Sequence, residues 1–196
     1  MTIELRDFDY LLSSIKEGFS KKQLSYHFQV YQEHVIKLYQ LEMGLKKGDT
    51  MTVGYPWGVW NELQRCRASA YNGAVLHELY FENLTAEKIE IPTEMKDLII
   101  RDFGSLEAWE EDLWSAALIG QWVLLTYSHP EKKLQQFVIA ENHIGMPVEQ
   151  TILIALDCWE HAWMVDYPGK IEDYLGAFMT HLNWNRANLR LKIALK

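Results

Sequence analysis

The sequence predicts an α+β protein: an N-terminal α-helical hairpin followed by a C-terminal α/β lobe with a small three-stranded antiparallel sheet. Three observations lead to this class. Apolar residues recur at helical spacing through two long N-terminal stretches, the pattern turns β-rich after Gln121, and a helical pattern returns at the end of the chain. Residues 86–92 read as a linker, so an N-terminal helical hairpin domain is expected over residues 1–88 and a C-terminal α/β domain over residues 89–196.

The first helix is expected over residues 20–45, where Ser20 and Gln23 form a capping-box pattern and Leu24, Phe28, Tyr31, Val35, Leu38 and Leu45 recur at helical spacing. Gly48 stops it. Residues 52–57, with Gly54 and Pro56, read as a connection, and residues 59–84 as a second helix carrying Leu63, Leu76, His77, Tyr80, Phe81 and Leu84. The two should pair as a hairpin. Residues 95–103 and 106–119 are expected to be helical, the latter with Trp109, Leu113, Ala116 and Ala117 on one face. Residues 122–127 and 134–140 form two strands around the turn-forming loop 128–133, residues 151–156 a third, and residues 171–195 a last helical region.

Composition narrows the function classes. With 48% apolar and 23% charged residues in a chain of 196, a buried core and a soluble globular class are expected. Apolar runs such as residues 152–156 fall far short of the ~20 residues of a membrane helix, so no membrane partner is expected. The N-terminus lacks a basic-then-apolar signal pattern, which makes the cytoplasm the expected address. Cys66 and Cys158 have no CxxC spacing, so neither a disulfide framework nor a thiolate zinc site is indicated. A net charge of -8 without a Lys/Arg block argues against nucleic acid, and a small anionic substrate would need a local positive field.

The chemistry concentrates in Asp157-Cys158-Trp159-Glu160-His161, a carboxylate and an imidazole four residues apart directly after the third strand. His27 and His77 lie on the apolar stripes of the two long helices, whose antiparallel pairing can bring both imidazoles to the lobe interface. Three neutral nitrogen donors and one anionic oxygen suit iron, manganese or zinc, so His27, His77, Asp157 and His161 are the candidate metal ligands. A lone histidine is more often a core or surface residue; the grouping of four donors is what favours a site. His34 lies about 10.5 Å along the helix from His27, too far to share one ion with it comfortably, and suits a gating role or an interface. His143, after the second strand, suits a donor to solvent at the metal or an exposed turn residue. His129 and His181 read as structural or exposed. Of the eight tryptophans, Trp122 and Trp159 are expected against the metal pocket and the rest, including Trp57, in packing.

The run from Asp157 to Trp163, followed by Asp173-Tyr174, Phe178 and Asn183-Trp184, resembles the C-terminal signature of iron/manganese superoxide dismutases. Tyr26-His27, Leu76-His77-Glu78-Leu79-Tyr80-Phe81 and Phe103-Gly104-Ser105 extend the resemblance over most of the chain. It implies one Fe or Mn ion per subunit on His27, His77, Asp157 and His161, superoxide as substrate, and dioxygen and hydrogen peroxide as products. It also implies a homodimer in which Glu160 reaches His161 of a second subunit. The chain departs from the family pattern at several places: His34 stands where a gateway tyrosine is usual, and His143 falls near the position of a glutamine. Trp163-Met164 replaces Tyr-Tyr, and Ile171, beside Lys170, replaces an arginine. These departures motivate an alternative, a metal-binding relative with weak or no dismutase activity that serves in storage, sensing or interaction. A non-haem iron oxygenase fits less well, because that chemistry uses two histidines and one carboxylate.

Overall fold

The computed structural model describes residues 3–47 and 58–196; the expected stop at Gly48, the connection at residues 52–57 and Trp57 lie outside these. The element order is α1 (Tyr10–Ser14), α2 (Lys21–Lys47), α3 (Val59–Glu82), α4 (Thr93–Phe103), α5 (Leu106–Ala117), β1 (Trp122–Ser128), β2 (Lys133–Ile139), β3 (Gln150–Asp157), α6 (Glu160–Trp163), α7 (Ile171–Thr180) and α8 (Trp184–Ala194). This is the α+β arrangement the sequence predicts.

Helices α2 and α3 form the antiparallel hairpin. Tyr31 bonds Glu78, while Arg67 pairs with Glu42, so ascending positions on one helix meet descending positions on the other. The first turn of α2 forms only half of the expected capping box. Ser20 Oγ accepts from Gln23 N at 3.0 Å, but the buried Gln23 side chain turns away, donating to the His161 carbonyl at 2.6 Å and accepting from Val165 N at 3.0 Å. A tertiary pair of bonds thus replaces the local one. Ser105 caps α5 by accepting from Ala108 N, and Gly104, at φ 93°, supplies the left-handed residue that ends α4.

The sheet has the order β2-β1-β3 with both pairings antiparallel. Central β1 is buried at every position, covered on both faces, which explains its continuous apolar run. Its register sets Trp122 opposite Asp157 at one end of the sheet. The expected C-terminal helical region, residues 171–195, consists of two helices. Leu182 bridges Leu84, Asn183 N donates to the Asn83 carbonyl at 2.7 Å, and the Asn183 side chain then caps α8. Pairing with the exit of α3 therefore interrupts the helix. One apolar cluster draws on both halves of the chain, including Phe28, Tyr80, Phe81, Trp109, Trp122, Leu124, Tyr174 and Leu191. Among the described residues no helix is long and apolar enough to cross a membrane.

The buried end of α3 carries a charge that must be compensated. Glu82 accepts from Arg6 at 2.6 Å, Arg186 at 2.5 Å and Arg190 at 2.7 Å, joining the N-terminal segment and α8 to α3. Burial alone would raise its pKa, but bonds from Arg186, Arg190 and Arg6 outweigh that and hold it at about 2, against an ordinary 4.5. Its contribution to stability is therefore present above pH 4.5 and lost as pH falls towards 2. Glu82→Gln is expected to destabilise the protein by roughly 3 kcal/mol at neutral pH. In urea melts, the gap between wild type and variant should close as the pH is lowered through that window.

Candidate metal centre

Four elements deliver one donor residue each to a common point: α2 brings His27, α3 His77, the end of β3 Asp157, and α6 His161. The donor atoms all lie within 4.8 Å of one another, and three of the four residues are buried. Asp157 Oδ2 lies 2.9 Å from His27 Nε2, 3.1 Å from His161 Nε2 and 3.5 Å from His77 Nε2, and the His77 and His161 Nε2 atoms are 3.3 Å apart. Donors held about 2.0–2.2 Å from one ion at angles between square and trigonal would be separated by roughly 2.8–3.8 Å. The four spacings quoted fall within that range.

The proton inventory points the same way. His77 Nδ1 lies 2.6 Å from the Gly73 carbonyl, which places its N–H there and leaves a lone pair on Nε2 facing Asp157 and His161. Two acceptors facing each other in a buried space repel unless a cation lies between them. Burial lowers the pKa of His27 despite the nearby Asp157, and lowers that of His77 well below the ordinary range. Neutral imidazoles are the form that binds metal. Burial works against the Asp157 charge, but the charge and hydrogen bond of His161 and the hydrogen bond of His27 hold this carboxyl well below the usual range. The donor set thus comprises an anion at Asp157 and neutral nitrogens at His27 and His77, with the His161 imidazole beside them, matched to a dipositive or tripositive ion.

Secondary contacts fix the donors in place. Trp159 N donates to Asp157 Oδ1 at 2.9 Å, which turns Oδ2 to the imidazoles, and Tyr174 Oη donates to the Asp157 carbonyl at 2.5 Å. The Trp122 ring stands edge-on to His77 with centroids 5.2 Å apart, and Trp159 stacks on His161 at 6.3 Å. His34, half-buried on α2, has its ring centroid 5.1 Å from that of His77. It also lines a surface groove with Val30, Glu33, Ile36, Lys37 and Gln40. Glu160 is exposed at the start of α6, and Lys170 pairs with Asp173 at 4.0 Å. His129 bonds Thr151 near the opposite end of β3, and His181 is buried at the end of α7.

Two residues that sequence reasoning passed over occupy this region. Gln23 holds the His161 backbone, as described above. Buried Asn142 accepts from Trp122 Nε1 at 2.9 Å through Oδ1, and its carbonyl accepts from Asn72 at 2.7 Å. Asn142 is thus the residue that meets Trp122, whereas its neighbour His143 lies 3.7 Å from Glu141. The available signal was Gly73, one helical turn before His77. A Cβ there would sit 2.5 Å from His34 Nδ1 and 2.8 Å from Asn142 Nδ2, so glycine is what allows an imidazole from one half of the chain and an amide from the other to meet over α3.

A family model described as iron/manganese superoxide dismutases, C-terminal domain, matches residues 91–190. The chain is 34% identical over 185 residues to the superoxide dismutase (Fe) of Cupriavidus metallidurans, covering 91% of each chain. It is 30% identical over 194 residues to the superoxide dismutase (Fe) of Aquifex pyrophilus, covering 96% of this chain and 91% of that one. A shorter match, 31% over 127 residues and 64% of each chain, is to superoxide dismutase (Mn) 2 of Haloferax volcanii. Architecture, clustered donors and similarity along nearly the whole sequence agree, and the chain belongs to the iron/manganese superoxide dismutase family.

Proposed function

We propose that the protein is a superoxide dismutase, converting two superoxide anions and two protons to dioxygen and hydrogen peroxide, with one iron or manganese ion held by His27, His77, Asp157 and His161. The observation that carries this reading is the convergence of those four donor atoms within 4.8 Å of one another. Relatives named for iron and for manganese support either metal. The bound ion would alternate between trivalent and divalent states, taking an electron from one superoxide and giving it to the next. The remaining work falls to the chain. Asp157 reduces the positive charge of the site, and its Oδ1 is held by Trp159 N. The bond from His77 Nδ1 to the Gly73 carbonyl makes Nε2 a stronger donor. The Trp122 and Trp159 rings exclude water from the sides of the site.

Dismutation consumes protons, and His34 is suited to supply them, since it borders the groove on one side and His77 on the other. The Trp122 bond to Asn142 Oδ1 leaves the amide Nδ2 beside His34 and Gly73, where it would orient a polar guest at the site. This reading gives Asn142, rather than His143, the donor role. The family resemblance assigns Glu160 to a homodimer contact with His161 of a second copy, and Glu160 is exposed, as that contact requires.

Three outcomes test the reading. His27→Ala or Asp157→Ala should reduce metal content, measured by mass spectrometry of protein loaded separately with each metal, from about one ion per chain to near none. Full metal occupancy in either variant would remove the assignment. His34→Ala and Asn142→Ala should keep the ion while lowering turnover in pulse radiolysis by roughly ten- to a hundredfold; loss of metal in both would make them structural rather than catalytic. Glu160→Ala should shift sedimentation from dimer towards monomer at micromolar concentration, and an unchanged profile would remove the interface role.

A further inference from the structure

His181 follows the last turn of α7 and faces a backbone carbonyl with each ring nitrogen: Nδ1 lies 2.8 Å from the Thr85 carbonyl and Nε2 lies 2.9 Å from that of Glu17. A neutral imidazole carries one N–H and donates once, whereas the imidazolium donates twice. Both contacts are hydrogen bonds only in the charged form. The ring is 9% exposed and packs on Phe19 with centroids 5.8 Å apart. It lies so close to Gly18 that a Cβ there would stand 3.1 Å from Nε2, at a backbone φ of 75° that glycine adopts without strain. The exit of a helix, with its unpaired carbonyls, also favours a cation.

The three segments joined here are those that position the donor helices. Glu17 precedes α2, which carries His27, and Thr85 follows α3, which carries His77. Thr85 N also donates to the His181 carbonyl at 2.9 Å, next to the Leu84–Leu182 bridge. None of these bonds involves the four clustered donors.

We propose that His181 is a proton-operated staple: charged, it ties the entry of α2 to the exit of α3, and on losing its proton it releases one of the two carbonyls. Loss of that proton takes the ring from two N–H donors to one, while two carbonyls still face it. The cavity beside it, lined by Glu17, Gly18, Lys88, Ala177 and Thr180 among others, gives solvent access to the ring. The charged and titratable groups around it are Glu17 and Lys88 on that cavity, Asp166, which accepts from Ser20 N at 2.6 Å, and Tyr167, which donates to the Gly18 carbonyl. Glu172 and Asp173 lie in the first turn of α7, at its far end. None of these is a second imidazole, so a pH-dependent step in exchange at this contact reports His181.

The test is hydrogen–deuterium exchange of residues 15–20 in the intact metal-loaded protein, corrected for intrinsic exchange rates, at about pH 5.5 and about pH 8. Wild type is expected to lose protection by roughly tenfold on going to the higher pH, the worth of one charge-assisted bond. His181→Gln should show low protection at both pH values and no step. Gly18→Ala, which crowds the ring, should reduce the step and serves if the glutamine variant does not fold. A flat wild-type profile, or the same step in either variant, would overturn the proposal. Metal content, measured in parallel, separates failure of the staple from failure of the metal reading.

Discussion

The buried carboxylate of Asp157 is the constraint on which the rest of the arrangement depends. A carboxylate with no exposure is costly unless its oxygens are occupied. Here Oδ1 takes the Trp159 N–H, and Oδ2 faces His27, His161 and His77. The strand register, the short α6 and the Tyr174 hydroxyl each hold this one residue in place. Because three imidazoles from three helices meet a single oxygen, no element can shift without leaving an anion or a lone pair uncompensated.

The two halves of the chain are joined by polar contacts as well as by apolar burial. Gln23 reaches from α2 to the backbone around α6, Asn72 reaches from α3 to Asn142, and Arg190 reaches from α8 to the Leu79 and Leu153 carbonyls and to Glu82. A cluster of donors assembled from both halves needs this directional attachment, since apolar contact alone tolerates small slips that would separate donor atoms. The same logic explains a glycine at position 73. Close approach over His77 matters there more than helix propensity, which a glycine costs by about 1 kcal/mol.

Legibility in the sequence divides along a physical line. The two long helices, the three strands and the grouping of His27, His77, Asp157 and His161 could be read because they rest on local periodicity, on residue type and on a spacing of four between a carboxylate and an imidazole. Gln23 was legible as half of a local cap, and its tertiary role was not. Asn142 was passed over in favour of the more reactive His143, because nothing local distinguishes an amide that will meet an indole twenty residues earlier in the chain. The break between α7 and α8 was missed for the same reason, since it is imposed by pairing with residues 83–85.

The family resemblance includes all four donors, while the departure Trp163-Met164 lies close beside one of them, His161. Trp163 donates its indole N–H to the Cys158 carbonyl at 3.1 Å, so it braces the segment between the last strand and α6 from within the chain. His34 and Asn142 both meet at Gly73, whereas the hydrogen-bond partners of Asp157 are Trp159, Tyr174 and the imidazoles. Substitutions at His34 or Asn142 can therefore leave in place the hydrogen bonds that hold Asp157. Against a net charge of -8, Lys37 places a local cation in the groove that His34 borders, so the surface beside His34 is less negative than the chain as a whole.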